Sequence, residues 1–189
     1  MAILSDFSLN NFRGAVKNVV RPYLFYVQIP TFPTSPAGDG SSSTGEARRF
    51  TYLAQSTKIP ERELEILKIN WQGYEYKIGA NSKWSSWDVD FIIDDKAESY
   101  TELRKWCDAV HDPVTNKHGD PGTGSDGYVR DGITVQQIHH KEPGTVLVEF
   151  QLIGAWPSKV SGYDLKYQVA TEPAMVKVTF EYVYAKFTK

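Results

Sequence analysis

The chain has 189 residues, with 21 Lys or Arg against 23 Asp or Glu, so its formal net charge is −2. A charge this close to zero gives no general attraction to nucleic acid or to an anionic membrane. One cysteine, Cys107, excludes an internal disulfide and any cysteine-based zinc knuckle. The apolar runs are only a few residues long, so we expect no membrane anchor.

Alternation of apolar and polar residues with a period of two dominates the chain and predicts β-strands. The clearest example is the segment 175–184, where Val176, Val178 and Phe180 alternate with polar residues. The predicted strands cover residues 23–29, 47–57, 63–70, 72–78, 84–93, 132–140, 145–153, 164–170 and 175–184. Eight or nine strands, two of them forming a hairpin with its turn near Gly73, predict a mainly β protein with an antiparallel sandwich or barrel.

One helix is indicated after the strand 84–93. Asp95 can cap it, and Glu98 follows at capping-box spacing. A single apolar stripe at helical spacing then consists of Tyr100, Leu103, Trp106 and Val110. This helix is expected to flank one face or edge of a sheet. A shorter helix over residues 10–20 is also allowed, although Gly14 disfavours it.

The length suits a single domain, residues 1–189. Within it, residues 1–20 are expected to form an N-terminal arm. Residues 31–45 and 111–127 are expected to form long loops, because both are rich in Pro, Gly and polar residues and cannot build a core.

Histidines were the first candidates for a metal site. His139 and His140 are adjacent, and on a strand they would point to opposite faces, so they are not expected to share a metal ion. His111 and His118 lie in the second loop beside three aspartates, namely Asp108, Asp112 and Asp120. Their spacing fits no zinc or calcium pattern, and ordinary loop polarity is the favoured interpretation.

Catalytic patterns are also missing. Asp94 and Asp95 begin the predicted helix, where negative charge is favourable, whereas Asp88 and Asp90 form the polar side of a strand. The remaining candidates read as turn residues or as an unactivated thiol: Ser161, Gly162, Ser125, Asp126, Gly127 and Cys107. The glycines near 119–127 follow the helix and cannot cradle a phosphate at a helix start. We therefore predict no enzyme, no cofactor, and no catalytic, cofactor-binding or metal-binding residue.

The residues alone leave two interpretations of the function, which belong to different classes of protein. The many aromatic side chains would suit a ligand-binding module, although most occupy positions where core packing is the default. Exposed sheet edges would suit a subunit that pairs with other chains and polymerises.

Four segments, in order, resemble tail tube proteins of contractile-tailed (myovirus) bacteriophages. They are residues 21–29 (RPYLFYVQI), 77–91 (KIGANSKWSSWDVDF), the helix entry 94–97 with Trp106, and 152–160 (LIGAWPSKV) followed by a last alternating strand. The two long loops depart from the family pattern. Trp156-Pro157 within the last segment is expected to form a corner, because Pro cannot continue a central strand.

The resemblance implies a virion protein, assembled in the host cytoplasm, whose homohexameric rings stack into the inner tube of a contractile tail. It implies contacts with tail sheath, baseplate and tail terminator proteins, and phage DNA that passes through the lumen without specific binding. A near-neutral subunit agrees, because a strongly basic lumen would trap DNA. Strand residues that could face solvent or the lumen are Asp88, Asp90, Glu63 and Glu65. The alternatives are the tube of a phage-like contractile injection or type VI secretion system and a β-sandwich ligand-binding module.

Overall fold

The computed structural model of the chain describes residues 9–16, 20–33, 50–123, 127–142, 144–165, 167 and 173–188. Within them are helices α1 (Leu9–Ala15) and α2 (Glu98–Val110), and residues 50–53 are also helical. The strands are β1 (Phe25–Gln28), β2 (Ala54–Thr57), β3 (Arg62–Trp71), β4 (Tyr74–Trp84), β5 (Trp87–Ile92), β6 (His111–Asp112), β7 (Lys117–His118), β8 (Ile133–Ile138), β9 (Val146–Ile153), β10 (Trp156–Val160), β11 (Met175–Glu181) and β12 (Tyr184–Phe187).

Eight strands form two antiparallel sheets whose inner faces share one core. Sheet A has the order β1-β8-β9-β12 and sheet B the order β10-β11-β5-β2. The pairs β3–β4 and β6–β7 are separate hairpins. The prediction of a mainly β, antiparallel sandwich with a flanking helix is therefore confirmed.

The core follows directly from the alternation in the sequence. On β5 and β11 every second side chain is buried, while the intervening residues lie on the outer face of sheet B. The buried apolar side chains of the two sheets and α2 include Val27, Ile133, Val135, Leu152, Trp87, Val89, Phe91, Val176, Val178, Phe180, Leu103 and Trp106. Packing this large an apolar set is what stabilises the sandwich.

Helix α2 lies against β10 and closes the core with the predicted stripe. Leu103 and Trp106 are fully buried, and the Trp106 indole N–H donates to the Tyr128 carbonyl at 2.7 Å. The capping prediction was wrong, because the N-cap of the helix is Ala97, which makes no side-chain cap, and the carboxylate that serves the helix start is that of Asp94 and not of Asp95. The Asp94 Oδ1 atom accepts hydrogen bonds from the Ser99 backbone N–H at 3.1 Å and from the Ser99 hydroxyl at 2.9 Å.

Several predicted strands end at different places in the structure. The predicted strand 47–57 is wrong over residues 50–53, which are helical, and residues 47–49 lie outside the described residues. The segment 84–93 is two strands, because residues 85–86 separate β4 from β5, and the segment 175–184 likewise divides into β11 and β12. The predicted strand 164–170 is not a strand at its described residues, 164, 165 and 167.

The Trp156-Pro157 corner is also wrong, because both residues belong to β10. This strand is an edge strand of sheet B, and its pairing with β11 shifts register between Pro157 and Lys159. An edge and a register shift are the places where a sheet tolerates proline, since proline has no N–H to donate.

The two long loops differ in how much can be described. Most of the loop 31–45 lies outside the described residues. The loop 111–127 begins with the small β6–β7 hairpin, which the sequence did not predict, and only residues 124–126 of it are not described.

Candidate subunit interface

A long two-stranded ribbon extends from sheet B. β3 and β4 continue the paired strands β2 and β5, and every residue of β3 is exposed to solvent. The turn at Gln72 and Gly73 has positive φ at both residues, 48° and 85°, as a two-residue hairpin turn of type I′ requires. The hairpin predicted from the sequence, with its turn near Gly73, is thus confirmed.

The outer half of the ribbon has one apolar and one polar face. Directly opposed residues of an antiparallel pair share a face. The apolar tip face consists of the pairs Leu67–Ile78, Ile69–Tyr76 and Trp71–Tyr74, and the polar tip face of Lys68–Lys77 and Asn70–Glu75. On the polar face, Glu75 forms ion pairs with Lys68 at 3.3 Å and with Lys77 at 3.6 Å.

The apolar tip face is exposed to a degree unusual for such side chains. Trp71 is 68% exposed and Tyr74 is 79% exposed. A contiguous apolar surface of this kind on a folded domain usually marks a contact with another molecule.

The alternation along β3 changes phase between Ile66 and Leu67. Leu64 and Ile66 lie on the same side of β3 as the polar tip face, whereas Glu63 and Glu65 lie on the side of the apolar tip face. The inner half of the ribbon therefore presents its apolar side chains in the opposite direction. Glu63 and Glu65 are exposed, as the sequence predicted.

The base of the ribbon is held to the sandwich by aromatic contacts. The Arg62 guanidinium lies 5.7 Å from the centre of the Trp84 ring, and the Trp84 and Tyr182 ring centres are 6.1 Å apart. Trp84 is half-buried, unlike the rest of β4. These contacts fix the direction in which the ribbon leaves the domain.

At one end the sandwich is open. Along one row of sheet A, Val27 and Val135 are buried, their neighbour Phe150 is half-buried, and Phe187 on the edge strand is 62% exposed. Beside this row lies a cavity of about 220 Å³, whose lining includes Ile59, a residue shortly before β3. We call this region, Phe25, Ile59, Val148, Phe150 and Phe187, the open end of the sandwich.

The sheet edges are not equally available for pairing. β10 carries Pro157 and a register shift and contacts α2, all of which hinder pairing with another strand. On sheet A, β1 and β12 are edge strands with no register shift in their pairing to β8 and β9. Leu9 and Phe12 on α1, with Val16 directly after it, add further exposed apolar side chains.

The histidines come closer together than the sequence predicted. His139 and His140 follow the end of β8, so the argument from strand geometry does not hold, and their ring centres are 5.2 Å apart. They line a groove of about 590 Å³ with Tyr23, Tyr26 and others. His111 and His118 face each other across the β6–β7 hairpin at 4.5 Å. Within the described residues, no three His, Cys, Asp or Glu side chains gather as a metal site would require.

The acidic candidates on sheet B have structural partners. The Asp88 carboxylate accepts a hydrogen bond from the Thr179 hydroxyl at 2.7 Å and pairs with the Lys177 ammonium at 2.7 Å. Those hydrogen bonds, first that of Lys177, lower the pKa of Asp88. The Ser56 hydroxyl donates to Asp90. Both aspartates therefore link neighbouring strands on the outer face of the sheet.

The nucleophile candidates are equally occupied. The Ser161 hydroxyl donates to the Lys177 carbonyl at 2.9 Å and accepts from the Lys177 N–H at 3.0 Å. Burial raises the pKa of the half-buried Cys107 thiol, which disfavours the reactive thiolate. Ser125 and Asp126 lie outside the described residues. Among the described helices, none is both long and apolar enough to cross a membrane.

An exposed apolar ribbon, an incompletely covered sandwich and open sheet edges define the subunit of a protein assembly. The family of phage tail tube proteins matches residues 20–187, and the chain belongs to this family. The expectation of a tail tube protein is therefore confirmed. No curated protein sequence matches the chain.

Solved structures share the fold. The sheath/tube terminator of the extracellular contractile injection system PVC, in the extended state, contains a chain with a TM-score of 0.60 and 13% identity, covering 92% of this chain and 99% of its own. A chain of the PVC sheath-tube complex in the extended state has a TM-score of 0.58 and 13% identity, and the match covers 96% of this chain and 99% of that one. A chain of the tube-terminating cap of the anti-feeding prophage has a TM-score of 0.61 and 14% identity, and the match covers 100% of this chain and 99% of that one.

Proposed function

We propose that this chain is the structural subunit of the inner tube of a contractile tail, with residues 1–189 forming one tail-tube domain and residues 1–20 its N-terminal arm. Copies associate into homohexameric rings, and the rings stack into a hollow tube. The observation that carries the proposal is the apolar tip face of the ribbon, which belongs to a paired hairpin but has no cover within the described residues. The function requires no catalytic residue, cofactor or metal, and the chain is not an enzyme.

The assembly follows from the physics of the exposed surfaces. Contacts between different patches of identical subunits close into rings when the rotation is fixed, whereas contacts along the axis do not close and produce a filament. Pairing of the β1 and β12 edges between copies would satisfy backbone groups that are otherwise an aggregation hazard. Both kinds of contact are available on this chain.

The partners and location follow from the family and the shared fold. The structures of similar fold come from sheath-tube, terminator and cap assemblies. We therefore propose that the tube lies inside a sheath in the virion, contacts baseplate and terminator proteins at its ends, and is assembled in the host cytoplasm. Phage DNA passes through the lumen without specific binding, which a subunit of net charge −2 permits.

Negative-stain electron microscopy of the purified protein tests the assembly. The wild type should form rings or tubes. Trp71→Glu should abolish them, because it places a charge on the apolar tip face, whereas Asn70→Glu, at the same end of the ribbon but on the polar face, should leave them intact. Circular dichroism verifies that both variants fold. Rings of unchanged yield from Trp71→Glu would contradict the role given to the ribbon.

The tube of a phage-like contractile injection system, or of a type VI secretion system, remains the first alternative. It shares the assembly but conducts protein rather than DNA. Purified particles that contain this chain decide between them: nuclease-protected DNA supports the phage tail, and its absence from intact, filled particles supports an injection system.

A ligand-binding module is the alternative from another class. The groove lined by Tyr23, Tyr26 and Tyr52 favours it, because exposed tyrosines stack well on sugars or bases. A stable monomer that binds a glycan, with binding lost in Tyr52→Ala, would support the module. Association of the chain without glycan binding would exclude it.

A further inference from the structure

We propose that the ribbon of one copy seats its apolar tip face in the open end of the sandwich of the next copy, and so completes the neighbour's core. The inference rests on the proposed function, since it takes a second copy of this chain as the occupant. It goes beyond that function by assigning the two surfaces that meet.

The open end is not fully covered by the described residues of its own chain. The buried row of sheet A continues into Phe150 and Phe187, whose rings are 5.3 Å apart, and Phe187 is 62% exposed. Instead a cavity of about 220 Å³ remains between sheet A and the start of the ribbon. Apolar side chains at the rim of a core lose dispersion contacts and remain in water until another apolar surface covers them.

The ribbon cannot reach the open end of its own sandwich. Ile59, just before β3, lies at the open end, so the ribbon begins there and runs outward. From Arg62 to Trp71 the strand carries the tip about 30 Å away at a rise of about 3.3 Å per residue. Because β3 and β4 are paired along this length, the ribbon cannot fold back. The cover that we infer is therefore the ribbon of another molecule.

The two surfaces match in chemistry. The apolar tip face consists of six apolar or aromatic side chains, and none of the residues lining the cavity carries a charge. The charged residues of the ribbon tip, Lys68, Glu75 and Lys77, lie on the opposite face, where they would stay in water. The contact therefore buries no unpaired charge, whose desolvation would oppose binding.

The size of the contact is sufficient for a specific interface. Each fully buried aromatic side chain contributes about 150–250 Å², so Trp71, Tyr74 and Tyr76 at their exposures offer roughly 300–500 Å². With the three aliphatic residues, the apolar tip face offers about the 500 Å² that one partner contributes to a biological interface of roughly 1,000 Å² in total. Trp71 is the expected anchor, since large aromatic residues dominate binding energy when they fill pockets.

The geometry also accounts for head-to-tail growth. The ribbon and the open end are different surfaces of the same chain, so each copy has one free ribbon and one free open end after a contact forms. Such a heterologous contact continues from copy to copy until a ring closes.

Disulfide trapping tests the contact. In a Cys107→Ser background, Ile69→Cys on the apolar tip face is combined with Ile59→Cys at the open end. Mild oxidation should produce a ladder of linked copies on a denaturing gel. The matched control replaces Ile69→Cys by Lys68→Cys, whose side chain lies on the opposite face, and should remain at one chain.

The outcomes separate this inference from the proposed function. A ladder in the Ile69 pair and none in the Lys68 pair supports the inference. No ladder, or equal ladders, overturns it, and if rings are still visible by electron microscopy the proposed function stands without it. Absence of both rings and ladders contradicts both proposals.

A mixing experiment provides a second readout. Trp71→Glu removes a usable ribbon but leaves the open end, and Ile59→Glu does the reverse. Each variant alone should be unable to form the ribbon contact. In the mixture, the ribbon of Ile59→Glu can still bind the open end of Trp71→Glu, so native mass spectrometry should detect pairs of the two variants. Ring formation by Ile59→Glu alone would overturn the inference, because it would mean that ribbons contact something other than the open end.

Discussion

At the scale of single residues, polar side chains on the outer faces of the sheets serve to join strands. Asp88 connects β5 to β11 through Thr179 and Lys177. Tyr182 is an exception, because its buried hydroxyl has no hydrogen-bond partner within the described residues. Burial, with further contributions from Glu181 and Glu61, raises the pKa of Tyr182 to about 12. Replacing the polar group is therefore predicted to stabilise the fold at Tyr182 and to destabilise it at Asp88.

Tyr182→Phe should increase the free energy of unfolding by about 1 kcal/mol, because it removes a buried polar group that gains no bond on folding. The wild type should also lose stability as pH rises from 10 towards 12, since only the unfolded state then gives up the phenolic proton. Tyr182→Phe should lack that loss. Urea denaturation at pH 7 and pH 11 measures both effects. The exposed Tyr23→Phe is the control, and a lower stability for Tyr182→Phe at pH 7 would refute the interpretation.

Asp88→Asn should lower the melting temperature at neutral pH and have no effect in strong acid. The folded pKa of Asp88 lies below its ordinary value of 3.8, so its contribution is complete above that value. The contribution disappears as pH falls through the folded pKa, because the carboxylate is then protonated in both states. Thermal melts from pH 7 to pH 2 check this. An Asp88→Asn deficit that persists at pH 2 would show that the ion pair with Lys177 is not its cause.

At the scale of elements, most of the fold could be predicted from the spacing of apolar residues along the sequence, with a period of two in strands and helical spacing in α2. The ribbon, the β5 and β11 strands and the α2 stripe all follow from side-chain periodicity, which the folded core enforces. Residues 50–53 did not follow, because they form a helical turn in which Phe50 is buried and Tyr52 is 79% exposed, whereas a strand would place both on one face. β10 did not follow either, since its pairing with β11 despite Pro157 depends on its position at an edge.

The helix start offers a matched pair of variants. Asp94→Ala should reduce the free energy of unfolding by about 1 kcal/mol, because it removes the oxygen that accepts from the Ser99 N–H and hydroxyl. Asp95→Ala, the residue that sequence spacing favoured, should change it by less than about 0.5 kcal/mol. Denaturant titration of the two variants distinguishes them. A larger loss of unfolding free energy in Asp95→Ala than in Asp94→Ala would instead support the capping box predicted from the sequence.

At the scale of the whole molecule, the sequence predicted a subunit that pairs its sheet edges with other chains, but it did not predict the apolar tip face or the open end. Alternation in residues 67–78 predicts strands with one apolar face, and the sequence gives no sign that the cover is another copy of the chain. The structure adds that sign, because the ribbon is folded yet exposed and the sandwich is open beside Phe187. The lumen candidates divide accordingly: Glu63 and Glu65 lie on the ribbon, whereas Asp88 and Asp90 are bonded on sheet B.

The central claim is that the working form of this protein is a polymer of the chain. Sedimentation velocity of the purified protein over a wide concentration range tests it most directly. The account predicts a species of six chains together with larger species that increase with concentration, and a loss of both in Trp71→Glu. A single species with the mass of one chain at every concentration would contradict the account.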